Sequence, residues 1–394
     1  MKMNFKSMLI AALAMTTMLA SCSKDGEGAN TKTGDDRAVQ IKINRATAGN
    51  PGSRSIGNQV ADDTPVTFTS GYLLFTDQTD IVRFVVTINA GSAAYVEASK
   101  TVGVEALEAT GGEWITGVPG VAHKVYFLGN KPSDVAVPAA GTTNVANLVT
   151  AVSTQWKNDG SVDNVTLFGG EDITKYTGTG AQADEYEAEF DVKPIVGRFE
   201  IGAITGVGNI TDYQIDGIFI DNYYGSMNLN GNAVAASLAE NGTGSAKYME
   251  DGVGGSYLAA LQGVVYDYAA GGLTIPDRTP VAPPATMEAW SYNLFAPTSA
   301  SPAMPSIVIR LSNVEVNGQP WNGSWFLTIQ NFYSDPGTNQ VDIDKMEQGK
   351  IYVISNVAFD EDDITTEPYQ KTKKVRVEVN MLNWESDEVG FDFD

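Results

Sequence analysis

Hydrophobic residues in this chain fall mainly at every second position, in short runs broken by Gly, Asn, Asp and Pro. "VTFTSGYLLFTD", "IVRFVVTIN", "HKVYFLGN", "NVTLFGG", "EYEAEFDV", "YQIDGIFIDNYYG", "SIVIRLSNVEV", "GSWFLTIQNFY", "KIYVISNVAF" and "KKVRVEVNML" follow this pattern. Successive side chains on a strand point to opposite faces, so a two-residue period rich in β-branched and aromatic residues predicts strands with one buried face. Strands set this closely by turn residues build sandwiches or barrels, and no strand-helix-strand alternation recurs. One segment has a different period. In "TNVANLVTAVSTQWKN", Val145, Leu148, Val149, Val152 and Trp156 recur at three- and four-residue steps behind Asn144. That spacing predicts one amphipathic helix, N-capped by Asn144 and packed on a sheet.

The two ends of the chain carry similar alternating sets. Near the front, Val39, Ile41 and Ile43 alternate with Gln40 and Lys42, and a Gly-, Pro-, Asn- and Ser-rich loop holding Arg45 and Arg54 leads to "VTFTSGYLLF". At the far end, Val375, Val377, Val379 and Met381 share one face, and Val389, Phe391 and Phe393 form a second set. If the first strand were cut free at an arginine, its sheet would keep an unpaired groove that a strand from another copy can fill. A break between two halves is expected near Pro194 in "DVKPIVGRFEIGAITG", with a fresh strand series from Phe199. The second half holds long loops, "GNAVAASLAENGTGSAKYMEDGVGG" and "IPDRTPVAPPATMEAW", which read as surface insertions.

The opening "MKMNFKSMLIAALAMTTMLASCSK" reads as an export signal: Lys2 and Lys6 are its basic region, Met8 to Leu19 its apolar core and "LASC" its small-residue site. The apolar core is shorter than the ~20 residues a membrane span needs. Leu19-Ala20-Ser21-Cys22 resembles a bacterial lipobox, which implies acylation of Cys22. Cys22 is the only cysteine of the chain, so it has no partner for an intramolecular disulfide and no companion thiolate for a metal. Ser23 after it resembles lipoproteins sent to the outer membrane, and "SKDGE" resembles a surface-export signal.

With 48 acidic residues against 25 basic ones and a formal charge of -23, nucleic acid is excluded as a partner. A length of 394 residues with 43% hydrophobic content suggests two domains with real cores. Catalytic patterns are lacking. The single histidine, His123, has no Ser or Asp arrangement of a nucleophile elbow around it. Asp360, Glu361, Asp362 and Asp363 lack the spacing and Gly hinge of an EF-hand and read as a solvated acidic turn. No phosphate loop is present, and no cofactor or metal site is expected.

Taken together, the lipobox Cys22, the order strand, Arg loop, strand, and the segments "SGYLLF", "VGRFEI", "WSYNLFAPTS", "SIVIRL", "GKIYVISNVAF" and "VRVEVNMLNW" resemble the fimbrillins of Bacteroidota, subunits of type V pili. The resemblance implies an all-β fold of two transthyretin-like β-sandwich domains with one or a few short helices, and no enzymatic activity. The implied layout is a signal peptide at 1-21, a lipidated propeptide with the first strand at 22-54, an N-terminal sandwich at 55-195 and a C-terminal sandwich at 196-394. It further implies removal of the strand with Val39, Ile41 and Ile43 by an Arg-specific protease. Arg54 is the preferred cut, because Pro51 and Gly52 set it in exposed loop, and Arg45 at the strand end is the alternative. The donor strand would come from the C-terminal end, with Val375, Val377, Val379, Val389, Phe391 and Phe393. Expected partners are other copies and related fimbrial subunits, the protease, the outer membrane through the Cys22 lipid before cleavage, and a host or bacterial surface ligand. The precursor would sit at the outer membrane and the mature chain in a surface fimbrium. Two rivals are a surface glycan-binding lipoprotein, which would keep its first strand, and a secreted hydrolase, for which no catalytic group is found.

Overall fold

A computed structural model describes residues 36–45, 68–151, 165–232, 234, 238–239, 266–275, 290–298, 304–334 and 340–380. They form an all-β architecture with almost no helix. Every alternating run quoted above carries a strand.

The first half comprises β1 (Arg37–Arg45), β2 (Ser70–Thr76), β3 (Val82–Asn89), β4 (Thr101–Gly103), the short helix α1 (Val104–Glu108), β5 (Glu113–Val118), β6 (Lys124–Gly129), β7 (Val149–Ala151), β8 (Leu167–Asp172), β9 (Thr174–Lys175) and β10 (Glu185–Pro194). Apart from β7, these strands join in the order β4-β3-β2-β6-β8-β10-β1-β5, with β9 also on β10. β10 links two sets of strands: its first part pairs with β1 and β9, and its end, at Lys193 and Pro194, with β8.

One residue, Ile195, separates β10 from β11 (Val196–Gly206). There follow β12 (Ile210–Asp221), β13 (Tyr223–Tyr224), β14 (Ser226–Asn228), β15 (Leu238–Ala239), β16 (Tyr266–Ile275), β17 (Trp290–Phe295), β18 (Ser306–Val316), β19 (Gln319–Trp321), β20 (Trp325–Ser334), β21 (Val341–Ile343), β22 (Ile351–Phe359), β23 (Ile364–Thr365), β24 (Lys373–Arg376) and β25 (Glu378–Asn380). Two larger sheets result: β17-β11-β22-β25, and β16-β12-β18-β20-β21 with β19, β23 and β24 attached. Inward side chains from strands of both halves form a continuous hydrophobic cluster, including Val39, Phe75, Phe127, Ile195, Phe199, Ile309, Tyr352 and Val377.

The predicted helix behind Asn144 is replaced by other structure. Asn144 does cap, its side chain accepting from Ala146 N at 2.9 Å, but the helix is one 3-10 turn, Val145–Asn147. The chain then extends into β7, which pairs with β14. Asp134 fixes this turn-out: its carboxylate accepts from Thr150 Oγ1 at 2.9 Å and from Ala151 N at 2.7 Å. Backbone pairing and these side-chain bonds outweigh a helical period that rests on five apolar positions. Val152 and Trp156 lie outside the described residues.

Candidate assembly site

β1 is an interior strand, although it is the first element among the described residues. Its sequence RAVQIKINR alternates, and Val39, Ile41 and Ile43 are fully buried. On one side it runs parallel to β10, from Ala38 opposite Glu185 to Arg45 opposite Val192. On the other it runs antiparallel to β5, with Val39 opposite Ile115 and Ile41 opposite Glu113. β5 closes the second wall of the groove, and no alternating run announces it.

The polar face of β1 is matched to acids. Parallel pairing places Gln40 beside Glu187, Lys42 beside Glu189 and Asn44 beside Asp191. Lys42 Nζ lies 2.6 Å from Glu189 Oε1, and Asn44 Nδ2 donates to Asp191 Oδ1 at 3.3 Å and to Glu189 Oε1 at 3.5 Å. Gln40 Nε2 donates to Gly111 O at 2.7 Å. At the strand's start the Arg37 guanidinium sits 4.4 Å from the centre of the Tyr186 ring. At its end Arg45 Nη2 donates to Glu108 Oε2 of α1 at 3.3 Å, while Nε meets Oε1 at 2.5 Å as a charge contact outside hydrogen-bond alignment. Gly112 lets β5 approach closely: its φ is +59°, and a Cβ there would stand 2.5 Å from the Ile41 carbonyl oxygen.

Residues 46 to 69 connect β1 to β2, a connection far longer than the usual two to six or so residues, and Arg54 lies within its undescribed part. Cys22 also lies outside the described residues, as do Val389, Phe391 and Phe393. Val375 and Val377 are buried in the chain itself: β24 runs parallel to β20 with Val375 opposite Phe332, and Val377 N donates to Tyr333 O at 2.7 Å. Val379, in β25, pairs with Tyr352 of β22. The C-terminal segment thus crosses from one large sheet of its half to the other.

Where β1 ends, Asn44 borders an open cleft of about 870 Å³ between the halves. Tyr126 and Phe168, stacked at 5.6 Å, line it with Glu171, Glu347 and Lys350. Burial and a 2.8 Å hydrogen bond to Asp80 push the Tyr126 phenol well above the usual tyrosine range. His123 is exposed; its backbone N–H bonds Thr76 O at 2.7 Å. The acidic turn closes on itself, Asp360 N donating to Asp363 Oδ2 and Asp362 N to Asp360 Oδ1, both at 2.9 Å, with Lys373 on Asp363. Among the described residues no group of His, Cys, Asp and Glu side chains is placed to hold a metal.

No protein family and no curated protein matches the chain. Solved structures do resemble it. A protein assigned to cell adhesion from Bacteroides eggerthii DSM 20697 is 13% identical, with a TM-score of 0.47 over 89% of this chain and 96% of that one. A fimbrilin from Porphyromonas gingivalis W83 is 12% identical, with a TM-score of 0.46 over 87% and 96%. A C-terminally truncated tip fimbrial protein from Porphyromonas gingivalis is 11% identical, with a TM-score of 0.38 over 88% and 99%. These structural neighbours are fimbrial and cell-adhesion proteins of Bacteroidales.

Proposed function

We propose that this chain is a structural subunit of a surface fimbrium, joined to its neighbours by exchange of strands. The observation that carries the reading is β1: an interior strand with three fully buried side chains, covalently joined to the strands that follow it through a long connection. Cutting that connection leaves β1 held by non-covalent contacts alone. Its loss opens a groove between β10 and β5, and an open groove in a sheet is a template for another chain's strand. Joining by one strand from each copy to the next is head-to-tail, so it extends into a filament instead of closing into a dimer.

In this scheme the precursor is a lipoprotein held at the outer membrane through Cys22, and the two halves on either side of Ile195 are two sandwich domains. An Arg-specific protease cuts after Arg54. Arg45 is the poorer substrate, because its side chain is only 15% exposed and held by Glu108, whereas a protease needs the arginine extended and free. The donor is the end of the chain, with Val389, Phe391 and Phe393 taking the places of Val39, Ile41 and Ile43, since Val375 and Val377 already serve the chain's own core. A strand loop open to cutting together with a donor end describes a shaft subunit. N-terminal sequencing of assembled material tests the scheme: it should begin Ser-Ile-Gly at Ser55. A start at Ala46 moves the cut to Arg45, and a start at Cys22 refutes processing. The second reading, a surface glycan-binding lipoprotein, draws support from the Tyr126–Phe168 stack in the open cleft. It expects glycan binding by uncut protein, abolished by Tyr126→Ala.

A further inference from the structure

The groove and its present occupant carry opposite charges. β1 has Arg37, Lys42 and Arg45 and no acidic residue, and it lies against Glu187, Glu189 and Asp191 of β10 and Glu108 of α1. The polar face of the strand is therefore seated by the Lys42–Glu189 pair and the Asn44 bonds to Glu189 and Asp191, and the strand's end by the Arg45–Glu108 pair. The proposed replacement is of the other sign. From residue 385 onward the sequence carries Glu385, Asp387, Glu388, Asp392 and Asp394 and no base. With Val389 in the place of Val39 and the same direction, Gly390 falls beside Glu187, Asp392 beside Glu189 and Asp394 beside Asp191. The reverse direction sets Asp392 beside Glu187 and Glu388 beside Asp191. Like charges directly opposite on neighbouring strands repel.

We propose, on the strand-exchange reading above, that the acidic edge of β10 is an electrostatic latch: after the chain is cut, it retains the basic β1 and repels the acidic end of a second copy until the charges are screened. Cleavage alone then leaves a plugged subunit. Ionic strength, or cations gathered at the surface, sets the rate at which the plug departs and the donor inserts, because Glu189 and Asp191 are exposed, Lys42 is half-buried, and charges at such sites are screened within about 10 Å at 0.1 M salt.

Cys22 supplies the probe. In unlipidated full-length protein it is labelled with a fluorophore, the chain is cut with an Arg-specific protease, and departure of the labelled fragment and growth of SDS-resistant ladders are followed at about 0.01 M and about 0.5 M NaCl. Departure is expected to quicken by about tenfold or more at the higher salt, with ladders following, the sum of several pairs each of modest strength. The triple variant Glu187→Gln, Glu189→Gln, Asp191→Asn should release its fragment fast at low salt and lose most of the salt dependence. Lys42→Gln, which leaves the body of the subunit untouched, should shift departure in the same direction by a smaller factor. Departure that is equally fast or slower in high salt, or an undiminished salt dependence in the variants, overturns the latch. A fragment that never leaves folded protein at any salt overturns the exchange reading itself.

Discussion

β1 and β11 hold the same station in their sheets, and the chain secures them differently. Each lies between an antiparallel neighbour and a parallel one: β5 and β10 for β1, β17 and β22 for β11. Each presents apolar residues inward, Val39, Ile41 and Ile43 in one case and Phe199, Ile201 and Ile204 in the other, all buried. Connections set them apart. β11 follows β10 after one residue and turns into β12 through Val207, Gly208 and Asn209, with Gly208 at φ +63° and Ile210 N bonding Val207 O at 3.2 Å. β1 has the long connection to β2. Charges differ as well. On β11, Arg198 and Glu200 are buried together, Nε to Oε1 at 2.7 Å, with Arg198 Nη1 donating to Asn293 at 3.0 Å. The ions of β1 sit at the surface or half-buried. On the proposed strand-exchange reading one geometry serves a permanent strand and a replaceable one, and the difference lies in tethering and in where the charges are.

The largest contrast is in those charges. Glu200→Ala strands a buried guanidinium and should cost about 3–5 kcal/mol in urea unfolding, whereas Lys42→Met in β1 should cost about 0–1 kcal/mol. Equal effects would erase the distinction. Next, Ile41→Ala and Ile201→Ala should each cost about 2–5 kcal/mol in uncut protein. After cutting and exchange, only the Ile201→Ala penalty should persist, because Ile41 has left; a lasting Ile41→Ala penalty would mean β1 stays. Smaller is Gly112→Ala, at about 1–3 kcal/mol from a positive φ and the crowded Ile41 carbonyl. It should hasten loss of β1 from cut protein and leave amide exchange in β11 unchanged.

The sequence made half of this comparison legible. Alternation at Val39, Ile41 and Ile43 beside a loop rich in Gly, Pro and Asn identifies a strand on a long tether, because period and turn chemistry are local properties. Its neighbours are not local. β5 is short, and "EWITGV" has no clear alternation, so the second wall of the groove went unread. β11 is hard to read for another reason: in "VGRFEI" Arg198 and Glu200 alternate with Phe199 and Ile201, yet both faces of the strand are covered and the two ions pair in the interior. The helical spacing behind Asn144 was real but lost to Asp134 and to pairing with β14, both distant in sequence.

The central claim, that β1 must leave its groove before copies can join, is tested most directly by preventing it from leaving. Ile41 and Ala188 are register partners on adjacent parallel strands, which lie about 4.8 Å apart, within reach of a disulfide. In a Cys22→Ala background, Ile41→Cys with Ala188→Cys gives a chain whose two thiols lock β1 to β10. Cut with an Arg-specific protease, the oxidised protein should be fully cleaved yet form no SDS-resistant ladders, and adding a reductant should restore them. Ladders formed in equal yield with the lock closed would contradict the account.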